Sequence, residues 1–404
     1  MHIMSAANYI LFGVTTMTKT LIAVTKELDD LDLAINEIMQ QLQPETSFLR
    51  NSLAIVACHY EFVETDILKT LHEKLSCEMV GAISMPTAAG DQSDLIMLSI
   101  MVITSDEAIF STVLTDTVQA DPVVPLKNAF TQAAAFTQDR PSLILTYCPF
   151  IFNPDITGDL HVRTLSEISG NVPCFGTIST DGTMHAEKCL IIHNGDTYLD
   201  KCCISLVYGL NPKFYTANIS PNKIISPPAM ITKSKGNTLM EVNNRSIKEY
   251  FTNLGVYDVS KEIFGMLILP FIIDYKDGSS FVAKTFTQLS PEGYAMFAAE
   301  IPEGCTIQVA ANDKEDVLAA TEIAIKQILA ENPNATGLLA YSCVSRYMAL
   351  GRDALAEMDL VKNKLLGNIP FLMASSGGEI CPTDAKDGQH VNRFHNNTIA
   401  FCVF

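Results

Sequence analysis

One order of events, strand then helix then strand, recurs three times along the chain, and no other feature narrows its fold so far. In the first copy an apolar run at 52–58 precedes a helical pattern at 64–75 and a second run at 79–84. The second copy has a run at 142–148, a helix over Gly158–Ser169 and a strand at 174–179. The third has a run at 337–343, a long helix ending near Leu366 and a strand at 370–376. Cys58, Cys148 and Cys343 end the three first strands, and each second strand closes on a small hydroxyl residue followed shortly by glycine, at Gly90, Gly182 and Gly377-Gly378. Short apolar runs bounded by turn signals suit buried strands, and their alternation with helices predicts a mixed α/β (α+β) fold of sheets flanked by helices. Ligands collect beyond strand ends in such sheets, so the repeated Cys and Ser/Gly positions mark one candidate edge. The plainer alternative is that cysteine is a small hydrophobe favoured in cores.

Between the second and third copies the pattern changes. Residues 190–193, an Asn194-Gly195 turn, Tyr198 and 202–208 read as a hairpin. A stretch holding Pro212, Pro221, Pro227 and Pro228 follows, and a domain boundary is placed near residue 222. Beyond it, 230–232 and 239–242 around a Lys235-Gly236-Asn237 turn, with a helix from Ser246 to Leu254, form a hairpin-helix unit in which Ser246 is the cap. With 404 residues and 48% hydrophobic content the chain can build two cores. The expected organisation is a tail at 1–16, one domain at 17–222 and another at 223–404. Lys+Arg 27 against Asp+Glu 45 leaves a net charge of −18, which argues against nucleic acid and anionic membrane surfaces as partners. The longest apolar stretch, 263–273, contains Pro270 and is too short for a bilayer, so it reads as a core strand and no membrane insertion is expected. Eleven cysteines without a CxxC pair read as reduced thiols in a cytoplasmic protein.

Several segments carry a resemblance. They are Ile231-Thr232-Lys233 with Gly236-Asn237-Thr238-Leu239-Met240-Glu241-Val242, then Tyr341-Ser342-Cys343-Val344-Ser345-Arg346, Gly378-Glu379-Ile380-Cys381-Pro382 and Phe394-His395-Asn396-Asn397-Thr398. Through them the chain resembles the FIST family, the F-box and intracellular signal transduction sensory domains, over most of residues 30 to 404. The N-terminal half matches in layout, but Gly81-Ala82-Ile83-Ser84-Met85-Pro86 lacks the Cys and the downstream Gly-Glu of the family pattern. The resemblance implies a sensory module that binds a small molecule, proposed for amino acids or their derivatives. No output segment follows residue 404, so a separate signalling output protein is the expected partner.

The candidate ligand-binding residues are Cys343, Arg346, Gly378, Glu379, Asn396 and Asn397. The planar guanidinium of Arg346 suits a ligand carboxylate, Glu379 suits an ammonium group, and Gly378 lets a backbone come close. Together they match a zwitterion. The alternative for Arg346 and Glu379 is a buried ion pair with one another, and Asn396 and Asn397 are as well suited to satisfying turn backbone. His185, Cys189 and His193 invite a metal reading, but on a strand residues four apart sit about 13 Å from one another, so no metal and no cofactor is expected. A cysteine-dependent enzyme acting on a small carboxylate substrate is the rival function, built on Cys343 with His395 or Cys58 with His59. No Gly-x-Ser-x-Gly, P-loop or Gly-x-Gly-x-x-Gly motif supports it, and no catalytic residue is assigned. A third reading is a scaffold whose polar cluster is a core ion pair.

Overall fold

The computed structural model describes residues 17–404 except 152, 154, 183–184, 256–269 and 386–387. The tail at 1–16 and most of the 263–273 run therefore lie outside the described residues; the end of that run is the strand Pro270–Asp274.

Each of the three repeats builds a sheet around a parallel pair. In the first, Asn51–Cys58 runs beside Glu78–Ile83; in the second, Leu143–Cys148 beside Cys174–Ile178; in the third, Leu338–Cys343 beside Phe371–Ser376. Two antiparallel strands extend each pair on one side: Leu98–Ser105 then Thr18–Thr25, Lys201–Tyr208 then Ile109–Thr117, and Ile399–Val403 then Lys213–Ala217. On the other side each sheet receives a hairpin from a different repeat. The first sheet takes Ile191–His193 and Asp196–Tyr198, the second takes Gly378–Asp384 and His390–His395, and the third takes Thr87–Ala89 and Gln92–Asp94. Every repeat thus lends its hairpin to another sheet, and the exchange closes into a ring of three. The expected hairpin pairing of 190–193 with 202–208 is corrected here: the Asn-Gly turn joins Ile191–His193 to Asp196–Tyr198, while Lys201–Tyr208 leaves for the second sheet.

Period-two alternation sorts each strand between two cores. Leu53, Ile55, Leu143, Leu145, Tyr147, Leu339 and Tyr341 meet in one central core shared by the three sheets, where the Tyr147 and Tyr341 rings pack edge to face at 6.5 Å. The intervening residues face helices: Leu31–Leu42 and Ile67–Leu75 cover the first sheet, Val123–Ala134 and Gly158–Ser169 the second, Lys314–Glu331 and Ala356–Leu365 the third. The long helix expected in the third repeat is broken into Val344–Leu350, a 3₁₀ turn and Ala356–Leu365, with Gly351 at φ +58° ending the first piece.

Backbone equivalence between repeats is closer than the cysteines suggest. Gly81 lies opposite Val56 and Gly176 opposite Thr146, and a Cβ on either glycine would fall within 2 Å of the facing carbonyl oxygen, so these two pairs approach alike. Cys58 and Cys148 follow two residues later, each accepting a bond from the backbone N–H of a serine, Ser84 and Ser179. In the third repeat Ser375 matches Ile83 and Ile178, and its strand partner is Ser342. Cys343 stands one residue beyond the equivalent place, which puts it on the other face.

Between Lys213–Ala217 and the third repeat's parallel pair, the described residues of 229–309 form an antiparallel barrel. Its strands run Ala229–Lys235, Thr306–Val309, Pro270–Asp274, Val282–Leu289, Ala295–Phe297 and Thr238–Val242, and the last pairs back to the first. Closure leaves the six strands without a free edge. Phe251, on the helix Ile247–Asn253 capped by Ser246, packs among Phe271, Phe286 and Phe297 to fill one end. Residue 222, the expected boundary, falls in the 3₁₀ turn Pro221–Lys223 that leads into this barrel.

Candidate functional site

A cavity of about 430 Å³ opens where the strand ends of the second and third sheets face the barrel. That volume suits a small organic molecule. Cys148 and Ile178 line it from the second sheet, Cys343 and Gly377 from the third, and Thr285 and Phe297 from the barrel. The helix Gly158–Ser169 fixes the barrel against it. Lys284 of the barrel is fully buried and donates to Asp159 Oδ1 at 2.9 Å and to the Phe394 carbonyl at 2.8 Å. Burial, the largest influence, drives that ammonium toward neutrality, but Asp159 and Tyr275 together outweigh it and raise the Lys284 pKa. Glu300 completes the clamp, accepting from Thr157 at 2.8 Å and from Arg163 at 2.7 Å.

At the inner wall three donors converge from separate elements. Cys148 ends its strand, Cys202 lies near the start of the adjacent antiparallel strand, and His161 comes from the first turns of the helix that crosses over them. Cys148 Sγ is 3.2 Å from His161 Nε2, Cys202 Sγ is 4.0 Å from His161 Nδ1, and the ligand atoms all lie within 4.8 Å of one another. The Thr146 hydroxyl bonds His161 Nε2 at 2.8 Å. Burial pushes the Cys148 thiol up, but Cys202, His161 and Thr146 together outweigh burial and pull it well below the usual thiol range. The hydrogen bond with Cys148 and burial push the Cys202 thiol up.

The six residues expected at the site divide. Cys343 and Asn396 line the cavity; Arg346, Gly378, Glu379 and Asn397 are not among its lining residues. Arg346 is fully buried and turned into the scaffold, a correction to its expected place beside a ligand carboxylate. Its Nη2 meets Glu357 Oε1 at 2.6 Å and Thr321 Oγ1 at 2.8 Å, and its Nε donates to Glu357 at 3.1 Å. Ser342 donates to the other oxygen of Glu357 at 2.6 Å. The alternative pairing of Arg346 with Glu379 is corrected too, since Glu357 takes that part. Glu379 is fully buried, neither carboxyl oxygen has a hydrogen-bond partner of normal geometry, and burial holds its pKa well above the carboxylate range. The lack of a side chain at Gly378 makes room for Phe394, whose ring a Cβ would meet at 2.3 Å. Asn397 donates to Thr285 Oγ1 at 2.7 Å, and Asn396 Oδ1 accepts from the Thr285 backbone, so both asparagines stitch the final strand to the barrel.

The cysteine–histidine pairs weighed from sequence do not form. Burial, then the nearby Glu379 charge, push the Cys343 thiol up to about 12, while His395 bonds the Cys381 carbonyl at 3.0 Å and burial lowers its pKa to about 3. Burial alone raises the Cys58 thiol, and His59 Nδ1 accepts from the Glu61 backbone. His185, Cys189 and His193 form no cluster; among the described residues the one group of three possible metal ligands is Cys148, His161 and Cys202. That trio has separations of 13 and 41 residues and no short motif. Its available signal was the repeat itself, which places Cys148 at a strand end beneath its own crossover helix.

Comparison with known proteins accords with the resemblance. The FIST N domain model matches residues 52–245 and the FIST C domain model residues 246–382. The chain belongs to the FIST family. FIST domains are associated with sensing in signal transduction and are thought to bind small ligands. No curated protein matches the chain. Among solved structures, the cyanuric acid hydrolase from A. caulinodans is similar over 96% of this chain and 99% of its own, with 9% identity and a TM-score of 0.38. No helix among the described residues is long and apolar enough to cross a membrane.

Proposed function

We propose that this FIST protein is a sensory module whose ligand is a small molecule held in the cavity between the second sheet, the third sheet and the barrel. The observation that carries this reading is the cavity: ligand-sized, largely apolar, and placed at the ends of two parallel strand pairs, where open α/β sheets bind their ligands. Among the described residues its lining contains no Asp, Glu, Lys or Arg side chain. A free amino acid, the ligand class that the resemblance implies, would bring two charges to a wall without an ionic partner for either. The lining therefore favours an uncharged or singly charged molecule, such as an amide or ester derivative, with Asn396, Thr285 and Ser345 supplying polar contacts. Eleven free cysteines, ten of them buried, support a reducing compartment such as the cytoplasm.

The test is a thermal-shift screen of amino acids, their amides and small neutral heterocycles against the whole chain and against Ala298→Trp, which places an indole at the exposed cavity mouth. A ligand at about 100 times its Kd stabilises by about 2.7 kcal/mol, and the substitution should abolish that gain. A screen with no stabilising compound, or stabilisation that survives Ala298→Trp unchanged, overturns the assignment.

A further inference from the structure

We propose that Cys148, His161 and Cys202 form a zinc-type metal site, with three protein donors and a fourth position open to the cavity. The proposal stands independently of the organic ligand discussed above.

Geometry is the first support. Zinc binds thiolates at about 2.3 Å and imidazole at about 2.0–2.1 Å, so a tetrahedral site has donor-to-donor edges of roughly 3.5–3.8 Å. The three ligand atoms already lie within 4.8 Å of one another, so side-chain rotations of about an ångström bring the two sulfurs and one ring nitrogen of His161 onto one ion; Cys148 now touches Nε2 at 3.2 Å and Cys202 touches Nδ1 at 4.0 Å, and only one of these nitrogens takes the ion. The backbone frame is already set. Tyr147 pairs with Cys203, so Cys148 and Cys202 stand opposite one another on adjacent strands, and both pack on the helix side of the second sheet. His161 is held over them by a 12-residue helix whose N-cap, Thr157, accepts from the Leu160 backbone. Rigid elements rather than loops thus carry all three donors.

Charge is the second support. Among the described residues the cavity lining has no carboxylate and no permanent cation, so an isolated thiolate or imidazolium there is poorly compensated. Two thiolates, one neutral imidazole and one divalent cation sum to zero, the only combination of these groups that ionises both sulfurs without leaving net charge in an apolar wall. Thiolate and imidazole donors select zinc and its softer neighbours over magnesium or calcium. Ligation through Nδ1, the nitrogen facing Cys202, leaves Nε2 to the Thr146 hydroxyl at 2.8 Å, the outer partner that metal-bound histidines usually have. All three donors line the cavity, so a fourth ligand, water or a bound molecule, reaches the ion from that side. A thiolate–imidazolium pair would use only Cys148 and His161, and a Cys148–Cys202 disulfide would leave His161 without a role.

The whole chain, reduced and stripped with a chelator, is titrated with Co²⁺ and then Zn²⁺. One equivalent of Co²⁺ should bind with the intense visible bands of a tetrahedral site and a thiolate-to-cobalt absorption in the near ultraviolet, and Zn²⁺ should displace it. Cys148→Ser, Cys202→Ser and His161→Ala should each weaken binding by roughly 100-fold or more, beyond the 10–100-fold that follows loss of an outer partner. His161→Cys, which keeps a donor in place, should retain the tight site if His161→Ala fails to fold. Cys343→Ser, on the opposite wall, and Ala298→Trp, at the mouth, should leave Kd unchanged. Absence of a stoichiometric tetrahedral Co²⁺ spectrum overturns the proposal, as does binding that survives all three donor substitutions. So does alkylation of Cys148 at a rate that Zn²⁺ does not suppress, which would assign Cys148 to a thiolate–imidazolium pair.

Discussion

Cys148 and Ser342 occupy equivalent places in the second and third repeats, each at a strand end beneath its crossover helix, yet they meet opposite chemistry. Above Ser342 the helix presents Glu357, whose carboxylate is saturated by Arg346, Thr321 and Ser342 itself. Above Cys148 the helix presents His161, and Cys202 approaches from the neighbouring strand, so three donors face one another and the cavity with no counter-ion among the described lining residues. In the first repeat the matching Cys58 has burial as the sole cause of its raised pKa. One backbone frame therefore carries an apolar thiol, an open donor set and a closed ion pair. The frame fixes where a strand-end side chain points; its neighbours decide whether that place is scaffold or site.

The sharpest break of this comparison is Arg346→Ala. It leaves the buried Glu357 carboxylate without its cation, held only by the Thr321 and Ser342 hydroxyls, and loss of one partner of a buried pair costs about 3–5 kcal/mol. His161→Asn removes the contacts of the ring with Cys148 and Thr146 and should cost about 1 kcal/mol in the metal-free protein. Urea unfolding of both variants measures the contrast. Equal losses would mean that the two strand ends play the same structural part.

A second contrast lies in the hairpin that the third repeat lends to the second sheet, where Glu379 and His395 are cross-strand neighbours. Burial lowers the His395 pKa from 6.5 to about 3, so below pH 6.5 the unfolded chain takes up a proton that the native one refuses. Stability is then lost as pH falls, on the order of 3 kcal/mol by pH 4. Glu379 acts with the opposite sign: its raised pKa adds stability at low pH that is lost as pH rises through the native value. Between about pH 4.5 and 6.5 the two slopes oppose one another, so denaturant midpoints should rise toward acid pH in His395→Gln and fall toward acid pH in Glu379→Gln. An unchanged profile in His395→Gln would place that ring in contact with water.

How much of this was legible follows from what each signal depends on. The repeats were readable because buried parallel strands need continuous apolar runs, and the order of strand, helix and strand survives in one dimension. The Asn194-Gly195 turn and the Ser246 cap were readable because each is decided within four residues. Hairpin exchange was not, because Asp196–Tyr198 is too short to compete in sequence with the apolar run of Lys201–Tyr208. The site suffered most from a one-residue slip. Aligning Cys343 with Cys148 by identity put both on one face, whereas register aligns Ser342 with Cys148. Arg346 and Glu379 do carry unusual chemistry, as expected of polar residues in an apolar core, but the partner of Arg346 is Glu357, on a helix that sequence reading joined to Val344–Leu350 as one piece.

Cys343 offers a smaller test of the same contrast. With its thiol pushed up to about 12 it holds little thiolate at neutral pH, and the greater nucleophilicity of so basic a sulfur recovers only part of the difference. Iodoacetamide at pH 7.5 should alkylate it roughly 100-fold more slowly than a free thiol of pKa about 8.5. Peptide mapping by mass spectrometry reads this directly, and rapid labelling of Cys343 would return it to the list of reactive groups.

The smallest expected effect comes from Thr146→Val. Threonine and valine have nearly the same shape, so the substitution removes the 2.8 Å bond to His161 Nε2 while leaving the packing of the Leu143–Cys148 strand in place. Thr146 is opposite Gly176, and the residue opposite Gly81 at the matching place in the first repeat is already Val56, so the strand frame accepts valine there. Stability should fall by about 1 kcal/mol, the worth of one buried hydrogen bond. Metal affinity should fall about 10-fold, the lower end of what loss of an outer partner brings. A structural role for Thr146 alone would lower stability and leave Co²⁺ affinity where it was, and that split would detach the hydroxyl from the donor set it touches.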